Sequence, residues 1–255
     1  MRTSLNKVVE SFLDNILLRY KSGKKGGENL KQQTVALVSI GQSPRPDITG
    51  DFTLLCNQAF TLLDIGALDD VSPAEIASLA PAHGESDLIT KTRDGQVVYL
   101  SHDRLEPYMD IALVKAARQG ADWAVISCTG DFSRLHSSIP VLMPNQILAH
   151  SVASVLKQED KLILIVPTEG QAGEATKRWE KRGYTVARVL VESPFGDHQA
   201  LFELLQHDQV AKDSQAVIAD CFGFDVGFKN SVAKVYPKPV FVSRNLIAHL
   251  LLSVC

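Results

Sequence analysis

Ala124-Val-Ile-Ser-Cys128-Thr-Gly130 and Ala216-Val-Ile-Ala-Asp-Cys221-Phe-Gly223 are two versions of one phrase, a short apolar run that ends in Cys-X-Gly. Each leads into a Pro-Val run and then a helical stretch. The first continues Ile139-Pro-Val-Leu-Met-Pro-Asn-Gln-Ile-Leu-Ala-His150, the second Lys238-Pro-Val-Phe-Val-Ser-Arg-Asn-Leu-Ile-Ala-His249. Pro140, Ala149 and His150 return as Pro239, Ala248 and His249, and Cys128 returns as Cys221. A repeat of this kind implies two half-molecules, each delivering a thiol from an equivalent place, and so a cleft with one sulfur on either side. Opposed thiols suit chemistry in which a proton leaves one face of a carbon while another arrives on the opposite face.

Outward from these phrases, the pattern is one of alternating strands and helices. Thr34-Val-Ala-Leu-Val-Ser-Ile40 and Lys161-Leu-Ile-Leu-Ile-Val166 are continuous apolar runs that stop at turns, as central parallel strands do when helices cover both their faces. The first half continues with a helix over 48–60 and a strand over 60–66. A helix then starts at Ser72-Pro-Ala-Glu75, a hairpin turns at Asp94-Gly95, and a helix over 104–120 ends at Gly120. In the second half a helix over 171–182 is followed by strand 184–191, a helix over 197–211, strand 215–220, strand 239–242 and helix 244–254. Such alternation predicts an α/β fold with mostly parallel sheets, whose ligands bind beyond the carboxyl ends of the strands, where both cysteines fall. The expected divisions are an N-terminal extension at 1–33, a first half at 34–155 and a second at 156–255. Leu5, Val8, Val9, Phe12, Leu13, Ile16 and Leu17 give the extension an amphipathic helix, followed by a flexible Lys21–Gly27 linker.

Composition removes several classes of function. With 255 residues, 45% hydrophobic and 22% charged, the chain is an ordinary globular protein, and a net charge of −3 speaks against nucleic acid. No apolar run reaches the roughly 20 residues that a membrane span needs. Four separated cysteines, without a CxxC pair or a signal peptide, fit a reducing cytoplasm. Neither a metal nor a cofactor is expected, since zinc-ligand spacing and the P-loop pattern are both missing. A small carboxylate is the expected partner, and a homodimer the expected assembly if the chain self-associates.

A lone cysteine after a strand is ordinarily a small buried hydrophobe. Two in equivalent places of a repeat favour catalysis instead. Thr129-Gly130 and Phe222-Gly223 would turn backbone N–H groups toward the cleft, binding an anion and favouring thiolate. Gly41-Gln42-Ser43-Pro-Arg45-Pro-Asp47 is the second candidate site: its hydroxyl, amide and guanidinium suit capture of a carboxylate, although a solvated arginine in a plain turn fits equally well. Thr168, in the corresponding turn of the second half, would reach the same anion. Asp220 either tunes the neighbouring thiol or caps a turn. Cys56, Cys255, His150 and His249 are read as structural, and Ser101-His102-Asp103 as a surface cluster.

Thr34–Gly41 with its Ser-Pro-Arg sequel, Asp220-Cys-Phe-Gly-Phe224 and Val242-Ser-Arg-Asn-Leu-Ile-Ala248 resemble the AroM family over about residues 34–255. More distantly, the two halves with one cysteine each resemble the aspartate/glutamate racemase superfamily, with its hydantoin racemases and maleate isomerases. That resemblance implies two flavodoxin-like halves about a pseudo-two-fold axis, with a cofactor-free site in the cleft between them. It also implies catalytic roles for Cys128 and Cys221, and substrate binding by the Gly41–Ser43 turn, Thr129 and the residues after Cys221. Amino-acid racemases of the group show Cys-Asn-Thr and Cys-Thr-His where this chain has Cys128-Thr-Gly130 and Cys221-Phe-Gly223, a departure that counts against glutamate or aspartate as substrate. Phe222 and Phe224 would make one side of the pocket apolar. The expected function is a racemase- or epimerase-type isomerase. The rivals are a non-catalytic small-anion-binding protein and a single-cysteine cis–trans isomerase or decarboxylase.

Overall fold

The computed structural model describes residues 32–254. The helix expected over Leu5–Leu17, the Lys21–Gly27 linker and Cys255 lie outside them. In the first half, β1 (Thr34–Ser39) is followed by α1 (Pro46–Leu55), β2 (Thr61–Gly66), α2 (Pro73–Ser78), β3 (Asp87–Lys91), β4 (Val97–Ser101), α3 (His102–Arg118), β5 (Trp123–Ile126), β6 (Val141–Leu142) and α4 (Pro144–Val155). The second half runs β7 (Lys161–Val166), α5 (Glu169–Glu180), β8 (Thr185–Val191), α6 (Gln199–His207), α7 (Gln209–Asp213), β9 (Ala216–Ala219), α8 (Val226–Val235), β10 (Val240–Val242) and α9 (Ser243–Val254).

Two four-stranded sheets result, every pairing within them parallel. The first has the order β2-β1-β5-β6 and the second β8-β7-β9-β10, so equivalent strands hold equivalent places. Both central strands are apolar on both faces because helices pack on each side. Val35–Val38 and Leu162–Val166 are fully buried, with separate clusters of hydrophobic side chains above and below. Register carries the repeat to the cysteines. Val38 pairs with Ile126 and Ile165 with Ala219, so Cys128 and Cys221 each stand two residues past the last paired position. No helix among the described residues is long and apolar enough to cross a membrane.

Local chemistry sets most element ends where the sequence puts them. Ser72 Oγ accepts from the Glu75 N–H, and Gly120 ends α3 at φ +83°, where a side chain would be strained. Two expectations needed correction. The single helix expected over 197–211 is broken, because Asp208 leaves the helical conformation and caps a new turn by accepting from the Ala211 N–H at 2.9 Å. Helix α8 was not anticipated: Gly227 in its first turn hides a helix that Asp225 caps through the Phe228 N–H at 2.7 Å.

The last helix returns to the first half. Ile247, Ala248 and Leu251 of α9 pack with Val35, Leu37, Ile48 and Phe52, beside α1 and α4. Arg244 anchors this return. It is 1% exposed, and its fork donates to the carbonyls of Phe222, Gly223 and Asp47 at 3.0 Å each, and to Asp51 Oδ2 at 3.2 Å. Arg244→Met keeps the buried stem but strands three carbonyls and a carboxylate. It is expected to lower stability by about 3 kcal/mol, read as a fall in the urea midpoint at unchanged m-value.

Candidate functional site

The two cysteine turns are alike in detail. Gly130 N and Gly223 N each lie 3.3 Å from the sulfur two residues earlier, Cys128 Sγ and Cys221 Sγ. The turns also touch: Thr129 Oγ1 donates to the Asp220 carbonyl at 3.0 Å, joining the residue after one cysteine to the residue before the other. The Asp220 carboxylate is 2% exposed. Its Oδ2 accepts from Arg178 at 2.6 Å and from the Trp179 indole N–H at 3.0 Å, both on α5.

Burial dominates the thiols. It pushes Cys128 up to about 12, with the Cys221 and Asp220 charges adding to the rise and the Gly130 N–H and Arg178 opposing it. Cys221 goes up to about 11, again by burial and with Asp220 adding; the Gly223 N–H, Arg244 and Arg45 pull the other way. The N–H groups expected to favour thiolate are in place, yet loss of water outweighs them, so both groups are thiols at neutral pH.

Two cavities adjoin the turns. One of about 890 Å³ is lined by His102, Thr129, Gly130, Asn145, Arg178 and Arg182, and so draws on both halves. A second of about 490 Å³ is lined by Lys91, Phe195, His198, Gly223 and Phe224. Neither sulfur is among the lining residues; each cavity reaches instead the glycine whose N–H meets the sulfur. No cluster of three or more His, Cys, Asp or Glu side chains among the described residues is placed to hold a metal ion.

The other residues singled out in the sequence are largely engaged within the fold. Gln42 donates to the Leu68 carbonyl and accepts from the Arg93 N–H. Ser43 donates to Asp69 through both N–H and hydroxyl. The Arg45 fork grips Asp47 at 2.9 and 2.7 Å and reaches Thr90 Oγ1 at 3.1 Å. Burial works against the Asp47 charge, but Arg45 outweighs it and holds this carboxyl below the usual range. Gly41 lies so close to the hairpin that a Cβ there would collide with the Lys91 carbonyl and the Thr90 hydroxyl. Thr168 donates to Asp87 at 2.6 Å rather than facing Ser43. Thr129, Gly130 and Gly223 are thus brought to the cavities, while the Gly41–Arg45 turn buttresses the β3–β4 hairpin.

Phe222 departs from expectation. It is fully buried, with its ring 6.5 Å from Phe52 and the Arg244 guanidinium 5.5 Å from its centroid, so it fills core and not pocket. Phe224 does line the smaller cavity. His150 and His249 lie exposed on their helices. Cys56, buried in the core, is pushed up to about 11 by that burial. Arg178, Trp179 and His102 were missed as site residues. For the first two no local signal existed, since α5 comes to the cysteines only through the fold. His102 did carry a signal, its place in Ser101-His-Asp103, but adjacency in sequence made it look like surface.

Comparison with known proteins bears on the family and the fold. The family model described as AroM protein matches residues 35–255. Among solved structures, a mutant maleate cis-trans isomerase of Nocardia farcinica with a covalently bound succinylcysteine intermediate superposes with a TM-score of 0.59 at 10% identity, covering 87% of this chain and 91% of that one. A mutant arylmalonate decarboxylase in its sulfate-associated form gives 0.58 at 12% identity, covering 87% and 94%. Picrophilus torridus aspartate racemase gives 0.51 at 13%, covering 87% and 93%. At such identities the likeness is one of fold. No curated protein matches the chain.

Asp220 raises both thiols, so Asp220→Asn should lower both, and Cys128 further because Arg178 is then unpaired beside it. Iodoacetamide labelling of the wild-type pair is expected to be slow at pH 7.5 and to rise steeply toward pH 11. In Asp220→Asn the Cys128 profile should shift to lower pH and the rate at pH 7.5 increase about tenfold, read by peptide mass spectrometry.

Proposed function

This chain belongs to the AroM family, and from that membership and its paired thiols we propose a cofactor-independent isomerase of racemase or epimerase type acting on a small carboxylate. The observation that carries the reading is the matched pair of Cys-X-Gly turns, at equivalent strand ends and tied by the Thr129–Asp220 hydrogen bond. One cysteine first loses its own proton to water and then, as thiolate, takes the proton α to the carboxylate: the C–H bond breaks and an S–H bond forms. The other, as thiol, gives its proton to the opposite face, and the roles exchange with the hand of the substrate. A thiol pushed up by burial suits both halves of the step, since it holds its proton at rest and makes a strong base once ionised. Arg178 and the Thr129–Gly130 backbone supply positive potential for the carboxylate and for the enediolate charge that develops.

A second reading keeps the site but uses one cysteine covalently, for cis–trans isomerisation or decarboxylation. The succinylcysteine intermediate of the Nocardia farcinica isomerase on this fold favours it.

Incubation in D2O with a mixture of chiral and unsaturated small carboxylates, followed by proton NMR, separates the two. Exchange at the α-carbon of one compound, lost at least a thousandfold in both Cys128→Ala and Cys221→Ala, is the expected outcome. Full exchange in either variant defeats the two-thiol mechanism. Loss in one variant alone, with conversion of an unsaturated acid, selects the covalent reading.

A further inference from the structure

His102 is the first residue of α3, and its ring stacks on Phe132, four residues after Cys128, with centroids 4.8 Å apart. Its side chain is 18% exposed and lies on the wall of the larger cavity. Nδ1 stands 3.4 Å from Asp103 Oδ1, while Nε2 is buried and without a hydrogen-bond partner among the described residues. A buried polar atom left unpaired costs stability unless something meets it. The ring is also close to the thiol. A Cβ placed on Gly130 would stand 3.5 Å from His102 Cδ2 and 3.5 Å from Cys128 Sγ, so imidazole and sulfur flank one point in space.

The second half repeats the arrangement. His198 sits at the N-terminal cap of α6, which lies between β8 and β9 as α3 lies between β2 and β5. Its Nδ1 is 2.8 Å from Glu192 Oε1, and its ring meets Phe224 and, edge to face, Phe228, three and seven residues after Cys221. It lines the smaller cavity with Gly223. Each half therefore sets, on the wall of the cavity that the glycine of its Cys-X-Gly turn also lines, a histidine with a carboxylate near Nδ1 and aromatic rings against it. Chance burial explains one such histidine more readily than a matched pair.

We propose that His102 is a substrate-contacting residue, its Nε2–H donating to an oxygen of the carboxylate held beside Cys128, with His198 its counterpart on the wall of the smaller cavity. The inference rests on the reading of the cysteine site as one for small carboxylates. The charges around His102 fit the role. Asp103 on its own helix lies beside Nδ1, Asp131 and Arg134 line the same cavity from the segment after β5, and Arg178 faces it from α5. An anionic oxygen between Arg178 and Nε2 would then be held from both halves of the molecule.

The test is an NMR titration of the full chain with malonate, maleate and aspartate, following the imidazole Cε1–H signals. His102→Phe identifies the His102 signal and keeps a ring against Phe132 while removing Nε2; His102→Gln keeps a polar atom without the imidazole. Movement of the His102 signal with at least one of the three acids is expected in wild type and in Cys128→Ala. The dissociation constant of that acid should rise about tenfold in His102→Phe, the loss of one hydrogen bond to a charged group, and less in His102→Gln. A His102 signal that stays still with all three acids, or an unchanged dissociation constant in His102→Phe, overturns the proposal. Should the signal move while the cysteine variants keep full exchange activity, the contact stands and the two-thiol mechanism fails.

Discussion

The buried carboxylate of Asp220 is the constraint around which the cysteine region is built. A carboxylate this far from water is tolerated only when its charge is matched and its oxygens are hydrogen-bonded. Arg178 and Trp179 do both, and in doing so they fix α5 against the end of β9. The carbonyl of the same residue takes the Thr129 hydroxyl, which fixes the Cys128 turn against the Cys221 turn. One residue thereby sets how the two turns stand to each other, and its charge adds to the burial that raises both thiols.

Arg244 does the corresponding work on the other side of Cys221. It fills the carbonyls of Phe222 and Gly223 and carries the last helix onto α1. Arginine serves here where lysine could not, because a planar fork with five donors can meet three carbonyls and a carboxylate at once. Arg45 follows a similar logic. Buried beside Asp47 and Thr90, it is held as a strut for the hairpin and still bears on the Cys221 thiol through its charge. The site thus has guanidinium groups close by that structural contacts already hold, while Arg178 and the neighbouring Arg182 reach the larger cavity.

Much of this could be read from the chain. The strands β1, β5, β7 and β9 declare themselves by unbroken apolar runs, because a strand covered on both faces has no polar side to show. Cys128 and Cys221 stand out because the phrase repeats, and the observed register carries both to the same height above their sheets. Helix α8 escaped because Gly227 weakens its first turn, and the break at Asp208 escaped because one capping side chain decides it. Phe222 reads as pocket lining from its place beside Cys221 alone. Its neighbours Phe52 and Arg244 come from opposite ends of the chain and draw it into the core.

Periodicity and repetition along the chain carry the two-fold plan, the parallel α/β architecture and the pair of thiols at strand ends. The state of those thiols, the partners of Asp220 and the histidine on each cavity wall emerge only once the chain is folded. Those are matters of desolvation and of contacts between residues dozens of positions apart. A thiol's proton affinity depends on how much water and which charges surround it, and no stretch of sequence contains its own surroundings.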